Sequence, residues 1–380
     1  MPTAAPKVLL VGDFPPPYGG VAVHVEVVRD AVRASGGGCT VLDIGKGQLP
    51  ADGVVAAGGY VGFIRSLFAH AVRGYRIHLH TGGANPKSWA LAATCAAAAR
   101  VAGVAPLITF HSGVGPDWLA EDPLRARVAC TVANAFSTVI AVSDPIREAL
   151  LTCGVSSDRI EVLPAFSFSF LEAGDPPAGF HELRRDAAPL YCAMLARGPV
   201  YGAPVLLAAF AQIHARNPRA RLALYGPGTA ELDVARACGS AAPAVRVFGE
   251  LRRPAALAVI AGSDVFVRPT LADGDSVSVR EAVALGRTVI ATAVGTRPRE
   301  AILVAPGNIA ALASALAQVA ETGPVLRVAR NVPTQASGDC IRRLLELYGL
   351  PGPQEDASAA RPIRSRAPVE EPACAASAAF

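Results

Sequence analysis

A chain of 380 residues is long enough for two domains with separate cores. With 52% hydrophobic and 17% charged residues it is too apolar for wholesale disorder. A formal net charge of +4 is mild and argues against a dedicated nucleic-acid binder, which would carry a stronger basic stripe.

The eight cysteines are scattered and form no Cys-x-x-Cys pair, so no zinc site is expected. Residues 1–6 lack the basic start and apolar core of a signal peptide, which points to a cytosolic chain with reduced thiols. The only lysines are Lys7, Lys46 and Lys87, all in the N-terminal third. Elsewhere the positive charge is arginine, which suits bidentate phosphate contacts. A Schiff-base cofactor in the C-terminal half is thereby excluded.

In chain order, Val8 to Val11 is a continuous apolar run, as in a buried parallel strand. Three prolines and the pair Gly19-Gly20 follow, then a helix with Val21, Val25, Val28 and Val32 on one face. Strand, glycine loop and helix make a candidate phosphate site. His24 on this helix reads as a surface or packing residue. Residues 60–75 form an amphipathic helix, either packed on its own domain or docked on an anionic membrane. The apolar stretch 89–99 is too short to span a bilayer and reads as a buried helix. Strands are expected at 40–43, 77–80, 107–110, 138–143 and 160–164. His111 follows one of them, at the carboxyl end where parallel sheets bind ligands. His78 and His80 read as structural.

Residues 166–189 lose periodicity and gain Gly, Pro and charge, as a linker would. Strands at 190–195, 221–225 and 245–248 then alternate with helices at 203–215 and 254–261, implying a second parallel-sheet domain. Gly226-Pro227-Gly228 lacks the third glycine of a dinucleotide fingerprint, because Glu231 stands there. Helices are also expected at 310–321 and 340–347.

The richest stretch is 264–295, read as strand, acidic loop, helix and strand. Asp273-Gly274-Asp275 is turn chemistry. The helix start beyond it leaves backbone N–H groups free to hold an anion. Asp273 and Glu281 bracket that start. They could accept hydrogen bonds from a sugar nucleotide's hydroxyls while the N–H groups hold its diphosphate. Equally, Ser278-x-x-Glu281 fits a capping box and Asp273 fits a plain turn.

This stretch resembles the Glu-x7-Glu region of retaining GT-B glycosyltransferases, glycosyltransferase family 4 (glycosyl transferases group 1). Pro269-Thr270, Asp273-Gly274, the run from Ser276 to Val279, Glu281-Ala282, Gly286 and Val289-Ile290 carry the likeness. Asp273 replaces the family's first Glu and is one methylene shorter. The likeness extends over residues 7–349, including the Gly19-Gly20 loop, His111-Ser112-Gly113 and the glycine loop at Gly226.

The resemblance implies an α/β GT-B fold, two Rossmann-like parallel-sheet domains facing a cleft. Residues 1–165 would be the acceptor-side domain, 166–189 the linker and 190–335 the nucleotide-sugar domain. Residues 336–349 would form a helix crossing back, and 350–380 a disordered tail. It implies retaining transfer from a UDP- or GDP-sugar, with no cofactor and no obligatory metal. The acceptor would be a polysaccharide, oligosaccharide or lipid-linked sugar, met in the cytoplasm or at the inner face of the cell membrane.

His111, Asp273 and Arg197 would be catalytic. Gly19, Gly20, Gly226, Gly274, Asp275, Ser276 and Val277 would hold the donor, and Glu281 its ribose. The family's diphosphate-binding lysine is absent, and Tyr201 stands in its place. Arg197, Arg268 and Arg280 are the candidate replacements. Rival readings are a non-catalytic sugar-nucleotide-binding partner subunit and a GT-B sugar-nucleotide epimerase. A nicotinamide dehydrogenase is the third.

Overall fold

The computed structural model describes residues 5–45, 51–113, 115–166, 171–323 and 340–352. Lys46 and the expected tail from 353 onward lie outside the described residues, as does 324–339.

The N-terminal half runs β1 (Lys7–Gly12), α1 (Gly20–Ala34), β2 (Gly38–Asp43), β3 (Val54–Ala56), α2 (Gly59–Ala71), β4 (Arg76–Thr81) and α3 (Pro86–Ala102). It continues with β5 (Leu107–Phe110), α4 (Gly115–Ala120), α5 (Pro123–Ala133), β6 (Thr138–Ala141), α6 (Asp144–Thr152) and β7 (Ile160–Val162). Its seven strands pair in parallel in the order β3-β2-β1-β4-β5-β6-β7. Helices cover both faces, so β5 is buried along its length. The start of α3 is fixed locally: Asn85 accepts from the Ser88 N–H at 2.9 Å, and Pro86 opens the first turn.

The C-terminal half runs α7 (Phe180–Arg185), β8 (Leu190–Met194), α8 (Ala203–Arg216), β9 (Arg221–Tyr225), α9 (Val234–Cys238), β10 (Val245–Val247) and α10 (Arg253–Gly262). Then come β11 (Val265–Arg268), α11 (Val277–Ala284), β12 (Thr288–Thr292), β13 (Ile302–Val304), α12 (Ile309–Thr322) and α13 (Cys340–Tyr348). Six parallel strands follow the order β10-β9-β8-β11-β12-β13. Each half is therefore a doubly wound α/β sheet, the fold class expected from the alternating strands and helices.

Each sheet reverses its winding once, between β1 and β4 and between β8 and β11. Ligands of such sheets bind outside the carboxyl strand ends at that reversal. Met194 and Arg268 stand at one such end, and Gly12 and His80 at the other.

The expected linker contains a helix. Phe180 of α7 is buried with Leu190, Cys192 and Phe266, and Arg184 makes a two-pronged pair with Asp264 at 2.7 and 2.9 Å. This helix therefore packs in the core of the C-terminal half.

The α13 helix returns to the N-terminal half. Ile341, Leu344, Leu345 and Tyr348 are buried against Val8, Leu10, Val25 and Val28. Arg343 on its outer side pairs with Glu161 and Glu346 at 2.8 and 2.9 Å. Exposed pairs contribute little because water screens them. Arg343→Ala is expected to change stability by less than about 1 kcal/mol in denaturant titration, since the buried apolar side chains hold α13 down.

Among the described residues no helix is long and apolar enough to cross a membrane. On α2, Phe63 and Leu67 face the core, while Tyr60, Val61 and Arg65, and Arg73 beyond the helix end, are exposed.

Candidate functional site

A cavity of about 360 Å³ lies where the two halves meet. That volume falls in the range of small-molecule sites. The N-terminal half contributes Gly19, Gly20 and His111. The C-terminal half contributes Gly226, Glu281 and the loop from Asp273 through Gly274, Asp275 and Ser276 to Val277.

The halves touch directly at this loop. A Cβ on Gly113 would lie 2.2 Å from the Asp273 carbonyl oxygen, and one on Gly274 would lie 2.9 Å from the His111 carbonyl oxygen. Only glycine allows this approach. On the loop's other side, the Thr296 N–H donates to the Gly274 carbonyl at 2.7 Å. A second bridge joins the halves at the cavity mouth, where the Tyr18 N–H donates to the Glu250 carboxylate.

Ser276 is the N-cap of α11 and its side chain makes no capping bond. A helix leaves its first N–H groups without intrahelical acceptors. Here that first turn opens into the cavity at Ser276, Val277 and Ser278. The capping-box alternative fails, because Glu281 lies inside the helix and accepts from Arg253 Nε at 3.0 Å. Burial raises the Glu281 carboxyl above its ordinary range, with Arg253 pulling the other way.

Asp273 departs from the role of a free sugar acceptor. Its Oδ2 accepts from Arg268 Nε at 3.1 Å, from Arg297 at 3.1 Å and from Thr270 at 3.3 Å. Its Oδ1 accepts from the Gly274 N–H at 3.1 Å. The side chain, shorter than Glu by one methylene, sits back among the arginines. Burial alone would raise this carboxyl, but Arg268 and Arg297 outweigh it and hold it below the ordinary range. Asp275 is likewise occupied, by Arg280 Nε at 2.7 Å.

Arg197 also departs from expectation. Its side chain is 74% exposed and pairs with Glu231, away from the cavity. The Arg197 side chain lies instead beside the Gly228 loop. Arg268 lines the cavity instead, and Tyr201, in the position of the absent lysine, lies under its guanidinium at 5.5 Å. Arg280 faces Asp275, so of the three candidate replacements only Arg268 borders the space.

Sequence reasoning missed Arg253 and Arg297, which secure the two acids, and read His24 only as a surface or packing residue. This histidine is 5% exposed and forms a cluster with His80 and His111. The signal was present, since His24 shares the stripe of Val21 and Val28. Burial lowers His24 to about 4 and holds His80 and His111 well below the ordinary range, so all three rings are neutral at pH 7. His78 is structural: it bonds the Tyr348 hydroxyl and, at 2.7 Å, the Thr109 hydroxyl.

Residues 189–322 match the family described as Glycosyl transferases group 1, and residues 18–166 match Glycosyltransferase Family 4. No curated protein matches the chain by sequence. Among solved structures, Alr3699/HepE of Anabaena in complex with UDP-glucose is 18% identical at a TM-score of 0.68, covering 90% of this chain and 98% of its own. Sucrose-phosphate synthase of Thermosynechococcus elongatus is 20% identical at 0.62, covering 90% and 95%. A chain assigned as a UDP-N-acetylglucosamine 2-epimerase of Listeria monocytogenes is 14% identical at 0.62, covering 90% and 95%. At these identities the likeness is one of fold.

Proposed function

We propose that the chain is a GT-B glycosyltransferase that moves a sugar from a nucleoside diphosphate donor to a hydroxyl acceptor with retention at the anomeric carbon. The observation that carries this reading is the open first turn of α11, set in the interdomain cavity between Glu281 and His111. The N–H groups there would hold the diphosphate, with the helix dipole favouring its charge. Glu281 would accept from the ribose hydroxyls, and Gly19-Gly20 and Gly226 would give the donor close backbone approach. UDP is the first candidate nucleotide, since the Alr3699/HepE structure holds UDP-glucose; GDP is the second.

His111, neutral through burial, can exchange hydrogen bonds with a sugar hydroxyl but cannot serve as an acid at pH 7. Asp273 would act by holding Arg268 at the cavity wall, where the cation faces the leaving diphosphate. Catalysis here is chiefly electrostatic positioning. Front-face attack, with the departing phosphate taking the acceptor's proton, requires no protein nucleophile. No metal needs to bridge the diphosphate in this scheme. A lipid-linked or polysaccharide acceptor fits a cytoplasmic enzyme lying on the inner membrane face, with exposed Tyr60, Val61 and Arg65 of α2, and Arg73 just after it, toward it.

Incubation with UDP-glucose and related donors, followed by NMR, tests the reading. Retention predicts that an α-donor yields an α-linked product, or α-sugar on slow hydrolysis. A β product would overturn retention. A new sugar nucleotide formed without acceptor would favour the epimerase. The outward turn of Arg197 and the Tyr201 substitution favour one further reading, a binding subunit. Tight UDP binding with no turnover of any donor would establish it.

Gly113→Ala is expected to pry the halves apart, because the new methyl has no room beside Asp273. Overpacking of this kind costs about 1–3 kcal/mol, which is roughly 5- to 150-fold in donor affinity. Calorimetry with UDP measures the loss, and small-angle scattering should show a more open molecule. Unchanged affinity would mean that the closed contact plays no part in donor binding.

A further inference from the structure

The three histidines beside the cavity are placed like a ligand set. They come from separate elements: His24 from α1, His80 from the end of β4 and His111 from just after β5. Gly12 on β1 leaves room for them, since a Cβ there would lie 3.2 Å from the His80 Cβ. One ring nitrogen of each lies within 4.8 Å of the other two. The ring centres form a nearly equilateral triangle with sides of 5.4, 5.3 and 5.4 Å. Tetrahedral metal–nitrogen bonds of about 2.0–2.1 Å put donor atoms about 3.3 Å apart and ring centres roughly 5 Å apart.

A second observation is independent of this geometry. His80 Nε2 is buried and has no hydrogen-bond partner among the described residues. A buried polar atom without a partner is costly, and native structures rarely leave one. The contact between His80 and His111 accounts for one nitrogen of each ring and leaves this one unexplained. Imidazole nitrogens suit zinc-class ions, whereas Mg²⁺ and Ca²⁺ would require oxygen ligands.

We propose that His24, His80 and His111 bind one first-row divalent transition-metal ion of the zinc class, on the acceptor side of the cavity. Three protein ligands leave a fourth position open, as in catalytic rather than structural zinc sites. Since His111 lines the cavity, that position takes water or, in the proposed reaction, a hydroxyl of the acceptor. The hydroxyl rests on the glycosyl-transfer reading; the ion does not. The ion is distinct from one bridging a diphosphate, because its ligands are nitrogens of the N-terminal half.

The test uses untagged full-length protein, stripped with chelator and without nucleotide. It is titrated with Zn²⁺ by calorimetry and with Co²⁺ by visible absorption. One ion per chain and Co²⁺ ligand-field bands are expected. His24→Gln and His80→Gln should each weaken binding roughly 100-fold or more, while His214→Gln on α8 leaves it unchanged. If a variant fails to fold, imidazole ¹⁵N NMR of the wild type decides: Zn²⁺ should shift these three rings together and leave His214 alone. Folded wild type without Co²⁺ bands, or binding indifferent to the variants, overturns the site. So does a crystal structure grown with zinc that shows a buried water only. Failure to bind UDP would count against the donor reading and leave this result standing.

Discussion

Asp273→Ala is expected to destabilise the C-terminal half by about 3–5 kcal/mol, the cost of leaving a buried charge without its partner. Arg297 is almost fully buried and Arg268 nearly so, and both direct a guanidinium at the same Asp273 oxygen. Removing the carboxylate also frees the loop through Gly274, whose N–H it accepts. Denaturant unfolding followed by a probe in the C-terminal half would measure the loss, since a two-domain chain need not unfold in one step.

The pH dependence has a definite sign. The Asp273 carboxyl lies below its ordinary range when folded, so its contribution is present above the unfolded value of about 3.9 and is lost as pH falls through the folded one. The gap between wild type and Asp273→Asn should stay level from pH 5 to 8 and shrink below about pH 4. A gap of the same size at pH 3 would mean that the carboxylate's charge is not what secures the arginines.

The second large effect is expected at Glu281. A hydrogen bond to a charged group contributes about 1.5–3 kcal/mol, so Glu281→Gln should weaken nucleotide binding roughly 10- to 150-fold. The same change takes the charge from beneath Arg253, which pairs with Glu281 at 3.0 Å. A fall in melting temperature should accompany the weaker binding. Gln is the informative substitution because it keeps the volume and one acceptor oxygen. A variant with a lowered melting temperature and intact affinity would make Glu281 a structural partner of Arg253 only.

The fold was largely readable because its signals are local and repeated. Continuous apolar strands such as Val8 to Val11, each followed by a glycine turn and an amphipathic helix, have few alternative arrangements. The linker helix α7 was not readable, because its boundary depends on Phe180 finding Leu190 and Phe266 across the chain. Half of the site was legible for a similar reason. Gly274, the α11 start and Glu281 all lie in one stretch whose turn chemistry is local.

What escaped was pairing at a distance. Which arginine meets Asp273 is decided by the positions of Arg268 and Arg297 on either side of α11, and periodicity says nothing of that. Arg197 illustrates the converse: a cation expected in the site from its place in the sequence pairs outside it with Glu231. The histidine cluster joins residues 24, 80 and 111, brought together only when β4 and β5 pair beneath α1.

In the proposed reaction the first turn of α11 and Glu281 receive a nucleoside diphosphate. Calorimetric titration of the folded wild type and of Glu281→Gln with UDP, GDP and ADP tests it most directly. One UDP or GDP per chain is expected to bind the wild type, with affinity at least tenfold weaker in the variant. Wild-type protein that stays folded and gives no heat with any of the three would contradict it.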